Sequence, residues 1–561
     1  MIQMKKMTVE VKGTVFMDIK KLVNEMSIED LCGQVLCYDV QPGDTLEETY
    51  EVIRHIRPGA LFISGIPDKD KEKLRKKFEQ DKLYQKYATE ITGYPLLMCT
   101  DIEHGPGAYC QGLPQLPNPM AWGACNDVDL IERAGELTAR ISRKYCGIHY
   151  TLGPVVDLNI NFRNPLTHTR SISDDAERII RIGGAYARGV QKNGYLMATL
   201  KHFPGDGVDE RNQHFMTTVN DLSKDEWMNT YGKVYKELFK QGVASVMVGH
   251  ISCPAFQSDE IDEYGALPGT LSKNLMTDLL KGELGFNGCI ISDAMSMIGA
   301  CARVPFNKLA VSFIKAGGDL ILFPEPQEYD YLLEAVKTGE ISIGRMRDAV
   351  YRVMKLKEKA RLFEETNVED EIQDVENDIK ELEILSQKIA DNAVKIVRNN
   401  VGVLPVKKEN GKVLIIKIGG SFFNDSPDNT AFEFIEKEFQ EQGWQVTSMF
   451  FPKHRALKEI LDNFDLIVIP CHSDIHGSTL RVGWDNIMAF WRGYVLQHPN
   501  VVFVGLDDPY KLFDFPHAKT YINAFGTAPV LQRSVVKLIL GKIESTGKNP
   551  ISFREFFQRE D

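Results

Sequence analysis

The sequence LMATLKHFPGDG, residues 196–207, decides how the first part of this chain folds. Its first half, Leu196–Leu200, is an apolar run that predicts a buried strand. Its second half, Lys201–Gly207, holds a cation, an imidazole, two glycines and a proline, and glycine with proline indicates a loop leaving that strand. Charged and proton-transferring side chains therefore stand where a strand ends, which is where α/β enzymes place their chemistry.

Seven further short apolar runs occur in the first two thirds of the chain, separated by segments of helical periodicity. The eight runs are Val35–Tyr38, Ala60–Ile63, Pro95–Cys99, Leu152–Val156, Leu196–Leu200, Ala244–Val248, Cys289–Ile291 and Asp319–Phe323. Continuous rather than alternating hydrophobicity is typical of parallel strands covered on both faces. Eight such strands with helices between them predict an α/β fold of the (β/α)8 TIM-barrel type.

Most of these runs end in a polar residue. The polar ends are Asp101, Asp157, Lys201 with His202, His250 and Asp293. Barrel enzymes build their active sites at the carboxyl ends of the strands. Five strands that each end in a titratable group therefore predict one shared site, because unrelated solvated loops explain only one or two of them.

The pattern changes after Phe323. Residues 364–391 are dense in Glu, Asp and Lys with apolar residues at helical spacing, which predicts a charged helical linker. Three apolar runs follow at Val413–Ile416, Asp465–Ile469 and Val501–Val504, and they predict a smaller doubly wound αβα sandwich. We therefore predict a barrel at residues 18–362, a linker at 363–392 and a C-terminal α/β sandwich domain at 393–549.

Composition limits the function. The chain has 561 residues and a formal charge of −12, which disfavours nucleic-acid and membrane-surface partners because both need concentrated positive charge. The segment Met1–Met17 has no apolar core of a signal peptide, and the ten cysteines lack metal-site spacing. We expect a cytoplasmic protein with no metal and no cofactor. The sequence leaves open whether it is a monomer or a homodimer.

The predicted mouth of the barrel holds several carboxylates and a Lys–His pair, a combination that suits carbohydrate chemistry. Cleavage of a glycosidic bond needs a carboxylate below the anomeric carbon and a proton donor above the leaving oxygen. Asp293 follows the apolar run Cys289–Ile291 within one residue, so a strand end would hold it at a fixed depth. Retaining enzymes use such a carboxylate as a nucleophile that forms a covalent glycosyl intermediate.

Three segments carry a resemblance to a known family: Lys201–Gly207, Gln213–His214 and Gly285–Met297. Across nearly its whole length the chain resembles the β-N-acetylglucosaminidase branch of glycoside hydrolase family 3. The resemblance implies that Asp293 is the catalytic nucleophile. It also implies that His214, on a loop of the barrel, is the general acid/base.

The same resemblance implies how the sugar is bound. Thr100–Glu103 is similar to a sugar-binding D-x-E element of the family, and Thr169–Ser171 to its R-S segment. The residues implied to bind the hydroxyls and ring of the nonreducing acetamido sugar are Asp101, Arg170, Lys201 and His202. Asp157 is either a sugar contact or a support for Arg170, and His250 either lines the pocket or is structural.

The chain also departs from the family pattern. Asn212 stands where the family has an aspartate bonded to the catalytic histidine, so an amide replaces the anion that stabilises imidazolium. Asp209 and Glu210 lie nearby and could take over that task. In the D-x-E element, residues 104–107 replace paired glycines and an arginine, and Tyr109 stands where a second sugar-binding arginine is found.

The leading hypothesis is a retaining exo-β-N-acetylhexosaminidase that acts on small carbohydrates such as cell-wall or chitin fragments. A phosphorylase is the second hypothesis, because a histidine acid/base repels phosphate less than a carboxylate does. A β-glucosidase or β-xylosidase with the same chemistry is the third. A sugar-binding pseudoenzyme is the fourth, and it is motivated by Asn212 and by the altered segment at His104. The sequence assigns no role to the C-terminal domain.

Overall fold

A computed structural model describes residues 8–11, 14–41, 43–65, 70–364, 368–419, 430–450, 461–472 and 494–561 of the chain. The chain forms two compact units that interleave along the sequence. The first unit is Met1–Pro114, Glu132–Asp157 and Gly183–Leu382, and the second is Gln115–Ile131, Leu158–Ile182 and Glu383–Asp561. The domain boundaries expected at residues 362 and 392 stay a prediction.

The strands alternate with helices over most of the chain. They are β1 (Thr8–Val11), β2 (Thr14–Met17), β3 (Leu36–Val40), β4 (Ala60–Ile63), β5 (Leu97–Thr100), β6 (Tyr150–Thr151), β7 (Thr199–Phe203), β8 (Thr218–Val219), β9 (Ser245–Val248), β10 (Ile251–Ser252), β11 (Ile261–Asp262), β12 (Gly265–Ala266), β13 (Cys289–Ser292), β14 (Ile321–Leu322), β15 (Lys395–Asn399), β16 (Lys412–Lys417), β17 (Gln445–Phe450), β18 (Leu466–Cys471), β19 (Val501–Gly505) and β20 (Thr520–Asn523).

The helices mostly follow the strands one by one. They are α1 (Ile19–Glu25), α2 (Ile28–Gln34), α3 (Leu46–Ile56), α4 (Lys71–Thr92), α5 (Pro119–Cys125), α6 (Val128–Cys146), α7 (Ala176–Gln191), α8 (Lys224–Asn229), α9 (Tyr231–Lys240), α10 (Ile298–Cys301), α11 (Phe306–Ala316), α12 (Pro326–Lys337), α13 (Ile343–Lys359), α14 (Val375–Ala393), α15 (Thr430–Glu441) and α16 (Pro529–Ile539), with a π-helix at Asn274–Glu283. Within the described ranges, no helix is long and apolar enough to span a bilayer.

The first unit contains eight strands joined by parallel pairing. Two sheets have the strand orders β14–β3–β4–β5–β6 and β13–β9–β7. A parallel bridge from Tyr150 to Met197 joins β6 to the segment that enters β7, and one from Ile291 to Leu320 joins β13 to the segment that enters β14. Followed in order, these pairings pass through all eight strands and return to the first. We call these eight strands the parallel ring.

A core of buried apolar side chains fills the parallel ring. One cluster of buried apolar side chains takes residues from all eight strands or their immediate neighbours: Cys37, Ala60, Leu97, Cys99, Tyr150, Leu152, Met197, Ala244, Met247, Cys289, Ile291, Leu320 and Leu322. Inward-pointing side chains from several strands meet in this way when a sheet closes on itself. The carboxyl ends of the strands therefore surround one common area, where the polar strand ends lie.

Seven of the eight predicted runs overlap a strand of the parallel ring. The fourth, Leu152–Val156, does not, because the strand lies just before it at Tyr150–Thr151. Pro154 has no amide hydrogen and cannot donate to a ladder, which explains the early end of the strand. Val155 still makes an isolated parallel bridge to Lys201, so the segment continues beside β7.

The second unit is built on a six-stranded sheet with the order β15–β20–β19–β18–β16–β17. Its strands are parallel except for β15, which runs antiparallel to β20. The three predicted runs became β16, β18 and β19, whose side chains are almost all buried. The edge strand β17 is half exposed and carries no continuous apolar run, so the apolar pattern did not predict it.

The charged segment predicted as a linker is packed along part of its length. It forms α14, on which Ile379 and Leu382 are buried. Arg133 of α6 makes two hydrogen bonds of 2.7 Å to the carboxylate of Glu381. Arg140 donates from Nε to Asp378 at 2.8 Å. The acidic side chains of α14 thus pair with arginines of α6.

Candidate active site

Lys201 is the middle residue of β7, and its side chain is only 4% exposed. Its ammonium nitrogen is 2.9 Å from Oδ1 of Asp101 and 2.7 Å from Oε1 of Glu103. A buried ammonium needs such partners, because desolvation of an unpaired charge costs several kcal/mol. Asp101 remains half exposed, so this group of three charges presents hydrogen-bonding atoms to solvent on one side.

His202 is held by Asp157, the polar residue that follows β6 along the chain. Nδ1 of His202 lies 2.8 Å from Oδ2 of Asp157, and the backbone amides of His202 and Asp206 donate to Oδ1 at 3.0 and 2.9 Å. Both oxygens of the buried Asp157 carboxylate therefore accept hydrogen bonds from the segment after β7. The contact with Nδ1 leaves Nε2 of His202 for another partner.

Asp293 follows β13 directly and is partly exposed. Its backbone amide donates to Val248 at 2.8 Å, and its Oδ1 accepts from the amide of Ala294 at 2.8 Å. Burial alone raises the pKa of this carboxyl, but His202, the hydrogen bond from the Ala294 amide and Lys201 lower it by more than burial raises it, so the net pKa is below the ordinary value. Asp293 is therefore an ionised carboxylate at neutral pH.

His250 is fully buried, and the protein occupies both of its ring nitrogens. Nε2 donates to the carbonyl of Ala294 at 2.9 Å, and Nδ1 lies 2.9 Å from the hydroxyl of Thr270, which must then be the donor. Burial lowers the pKa of His250, although Asp293 and the Ala294 carbonyl act in the opposite direction. A neutral imidazole thus braces the backbone next to Asp293.

His214 lies on the loop after β7, and its ring is oriented by Asn212. Oδ1 of Asn212 is 2.7 Å from Nδ1 of His214 and accepts a second bond of 2.9 Å from its backbone amide. Because an amide oxygen only accepts, Nδ1 carries the hydrogen. Nε2 is then the nitrogen that can give up or take a proton, and His214 as a residue is exposed.

Asp209, one of the two residues expected to substitute for the missing aspartate, binds Arg211 and Val219. Its carboxylate accepts from Nε and Nη2 of Arg211, the latter at 2.6 Å, and from the amide of Val219 at 2.8 Å. These contacts outweigh the effect of burial and lower the pKa of Asp209. Nδ1 of His214 lies 2.7 Å from Oδ1 of Asn212.

The parallel ring therefore gathers Asp101, Asp157, Lys201, His202, His250 and Asp293 at its carboxyl ends, with His214 on the loop after β7. Arg170 lies in the second unit, at the end of a short helix His168–Arg170, and donates from Nη1 to the Leu166 carbonyl at 3.4 Å. Its predicted contact with sugar stays a prediction. Tyr109 is buried, only 2% exposed.

Sequence reasoning missed the partners that hold these groups. Glu103 was noticed only as part of the D-x-E element, and Thr270 was not noticed at all. Both act through contacts between residues far apart in the chain, for which the sequence carries no local signal. Within the described part of the chain, no cluster of three or more His, Cys, Asp or Glu side chains could hold a metal ion.

Comparison with known proteins identifies the family. Residues 26–356 match the glycosyl hydrolase family 3 N-terminal domain. The chain therefore belongs to glycosyl hydrolase family 3. Curated relatives in this family include proteins named β-hexosaminidase, as the resemblance in the sequence implied.

Two relatives and two solved structures illustrate the similarity. A Cellulomonas fimi protein named β-N-acetylglucosaminidase/β-glucosidase is 30% identical over 556 residues, 95% of each chain. A β-hexosaminidase of Chromobacterium violaceum is 31% identical over 251 residues, 43% of this chain and 67% of that protein. The β-glucoside phosphorylase BglX has a TM-score of 0.84 and 27% identity over 95% of both chains. A family 3 β-N-acetylglucosaminidase from Paenibacillus sp. str. FPU-7 has a TM-score of 0.80 and 23% identity, covering 94% of this chain and 99% of that one, and shows the fold.

Proposed function

We propose that this chain is a retaining exo-β-N-acetylhexosaminidase that removes terminal N-acetylglucosamine from small oligosaccharides. The observation that carries the proposal is the position of Asp293 directly after β13, on a segment whose Ile298 amide donates to the carbonyl of His214 at 3.3 Å. The proposal takes the parallel ring to be a (β/α)8 barrel, with the six-stranded sheet as the core of a separate α/β sandwich. The cytoplasmic location and the state of monomer or homodimer stay predictions.

In the first step, the carboxylate of Asp293 attacks the anomeric carbon as the bond to the leaving oxygen breaks. Protonated His214 gives its Nε2 hydrogen to that oxygen, so the leaving group departs as a neutral alcohol and a glycosyl ester of Asp293 forms. The lowered pKa of Asp293 keeps the nucleophile ionised at neutral pH.

In the second step, neutral His214 takes a proton from water at Nε2, and the water oxygen attacks the anomeric carbon. The ester bond to Asp293 breaks, and the sugar leaves with its original β configuration. Throughout both steps the Nδ1–H of His214 donates to Asn212, which keeps Nε2 aimed at the reacting oxygen.

The other polar groups divide into two roles. Lys201, His202 and Asp101 bind the hydroxyls and ring substituents of the nonreducing sugar, and the sugar contact of Arg170 stays a prediction from the resemblance. Asp157 and His250 act as positioning groups. Asp157 accepts three hydrogen bonds from the His202 segment, and His250 binds Thr270 and the carbonyl after Asp293.

N-acetylglucosamine is the proposed sugar because a relative that matches 95% of the chain is named β-N-acetylglucosaminidase/β-glucosidase, and a relative that matches 43% of it is named β-hexosaminidase. A second candidate is phosphorolysis of a β-glucoside, in which phosphate replaces water in the second step. It is supported by the similarity to a β-glucoside phosphorylase over 95% of the chain. A neutral His214–Asn212 pair repels phosphate less than a carboxylate would.

Assays with 4-nitrophenyl β-glycosides of N-acetylglucosamine, glucose and xylose, each with and without inorganic phosphate, separate these candidates. The proposed function predicts release of N-acetylglucosamine at a rate that phosphate leaves unchanged. Formation of a sugar 1-phosphate would favour the phosphorylase. Absence of turnover on every sugar, combined with retained sugar binding, would favour a pseudoenzyme.

A further inference from the structure

Arg303 follows α10 on the segment that begins with Asp293, and its side chain is only 5% exposed. Its Nε and Nη2 donate to the two carboxylate oxygens of Asp262 at 3.0 and 2.6 Å. Nη2 also donates to the carbonyls of Gly265 and Ala266 at 2.9 and 3.3 Å. Because a guanidinium presents its donors in a rigid plane, these bonds fix Arg303 against the hairpin β11–β12.

The other edge of the guanidinium reaches the loop that carries His214. Nη1 of Arg303 donates to the hydroxyl oxygen of Thr217 at 2.9 Å. The same hydroxyl donates to the carbonyl of Gly299 at 2.8 Å. A chain of hydrogen bonds therefore runs from Asp262 through Arg303 and Thr217 to the first turn of α10.

The turn around His214 rests directly on α10. The amide of Ile298 donates to the His214 carbonyl at 3.3 Å. A Cβ atom on Gly299 would lie 2.7 Å from the Gln213 carbonyl oxygen and 2.9 Å from that of Met216, too close for any side chain. Glycine at this position lets the two backbones come into contact, so the loop packs against α10 in one position.

We infer that Arg303, acting through Thr217 and Gly299, is a positioning residue that sets where His214 stands relative to Asp293. The segment of residues 293–303 begins with Asp293, and α10 within it contacts the His214 loop. One continuous segment therefore sets the distance between Asp293 and His214. The inference rests on the proposed function, because it assumes that His214 is the general acid.

A residue that acts only by placing a general acid has a distinctive kinetic effect. A displaced acid slows cleavage of bonds whose leaving oxygen needs a proton, whereas a leaving group that departs as a stable anion needs none. A misplacement of about 1 Å can lower a rate by roughly 100-fold. The loss should therefore grow with the pKa of the leaving group.

The test measures kcat/KM of Arg303→Met on aryl β-N-acetylglucosaminides of graded leaving-group pKa and on a disaccharide. We expect a loss of roughly 10- to 100-fold on the disaccharide and less than about threefold on a dinitrophenyl glycoside. Arg345→Met is the matched control, because Arg345 also binds an aspartate and backbone carbonyls, those of Ile314 and Gly318, but at the opposite ends of the strands. It should show no dependence on the leaving group.

Two smaller substitutions of Thr217 test the same inference without removing the buried guanidinium of Arg303. Thr217→Val removes the hydroxyl that joins Arg303 to Gly299 and should show the same leaving-group dependence as Arg303→Met. Thr217→Ser keeps the hydroxyl and should behave like the wild type. In the double variant Arg303→Met/His214→Ala, the loss should be no larger than in His214→Ala alone, because both changes remove the same acid.

An equal loss on all leaving groups in Arg303→Met, or additive losses in the double variant, would overturn the inference while leaving the proposed function intact. The two failures are separated by His214→Ala itself. If that variant lacks the leaving-group dependence, the proposed role of His214 is wrong, and the inference is overturned with it.

Discussion

The side-chain oxygen of Asn212 lies 2.7 Å from Nδ1 of His214. An aspartate at this position would orient the ring equally well and would also stabilise its protonated form. The amide therefore separates two tasks that a carboxylate performs together: it fixes which ring nitrogen carries the hydrogen, but it adds no negative charge of its own beside the imidazole.

Replacing Asn212 with aspartate should extend activity to higher pH. A carboxylate beside an imidazole favours the protonated ring, so its pKa rises and the general acid persists as pH increases. We expect the basic limb of the pH profile of kcat/KM on a disaccharide to move upward, with faster turnover of poor leaving groups. Asp209→Asn serves as the control, because Asp209 binds Arg211 and the Val219 amide. An unchanged profile in Asn212→Asp would mean that another group already supplies the charge.

Removal of the general acid should depend strongly on the substrate. His214→Ala is expected to lose roughly 10²- to 10⁴-fold in kcat on a disaccharide, the usual range for a positioned proton donor. The loss on an activated aryl glycoside should be much smaller in the glycosylation step. Steady-state rates on the two substrates check this, and undiminished cleavage of the disaccharide would remove His214 from the mechanism.

Lys201 should behave differently, because its ammonium lies between Asp101 and Glu103 and we propose that it binds sugar rather than transferring a proton. Lys201→Ala removes binding to the glycone, which every substrate shares. The loss in kcat/KM should therefore be similar for good and poor leaving groups. Selective rescue by an activated aryl leaving group would instead assign proton transfer to Lys201.

Lys357 should make stability depend on pH. It is fully buried, bonded to Oε1 of Gln34 at 2.6 Å and to the Pro95 carbonyl at 2.7 Å, and burial lowers its pKa to about 7. Between about pH 7 and pH 10.5 the unfolded chain binds more protons at this lysine than the folded one. The contribution of Lys357 to the unfolding free energy should therefore rise with pH, by at most about 1.4 kcal/mol per unit.

Urea unfolding of the wild type and of Lys357→Met at several pH values tests this expectation. The difference in unfolding free energy between them should shift in favour of the wild type as pH rises from 7 to 10. Lys380→Met, which alters an exposed lysine of α14, should show no such trend. A pH-independent difference for Lys357→Met would contradict the predicted titration.

The sequence predicted the elements that carry continuous apolar runs and the polar residues that end them. Seven runs overlap strands because buried parallel strands need apolar side chains on both faces. The pairing of His202 with Asp157 and the bracing of Asp293 by His250 were not predicted, because each joins residues from different strands. Arg303 lies outside every motif, and only its contacts with Asp262 and Thr217 reveal its place beside the His214 loop.

The most direct test of the account is to identify the residue that becomes bonded to the sugar. A mechanism-based N-acetylglucosaminyl fluoride carrying a second fluorine on its ring should trap the intermediate, because the added fluorine slows both steps and the fluoride leaving group restores the first. Intact mass should rise by one sugar per chain, and peptide mapping should place the label on Asp293, with no label and no turnover in Asp293→Ala. A label on any other residue, or a wild-type rate in Asp293→Ala, would contradict the account.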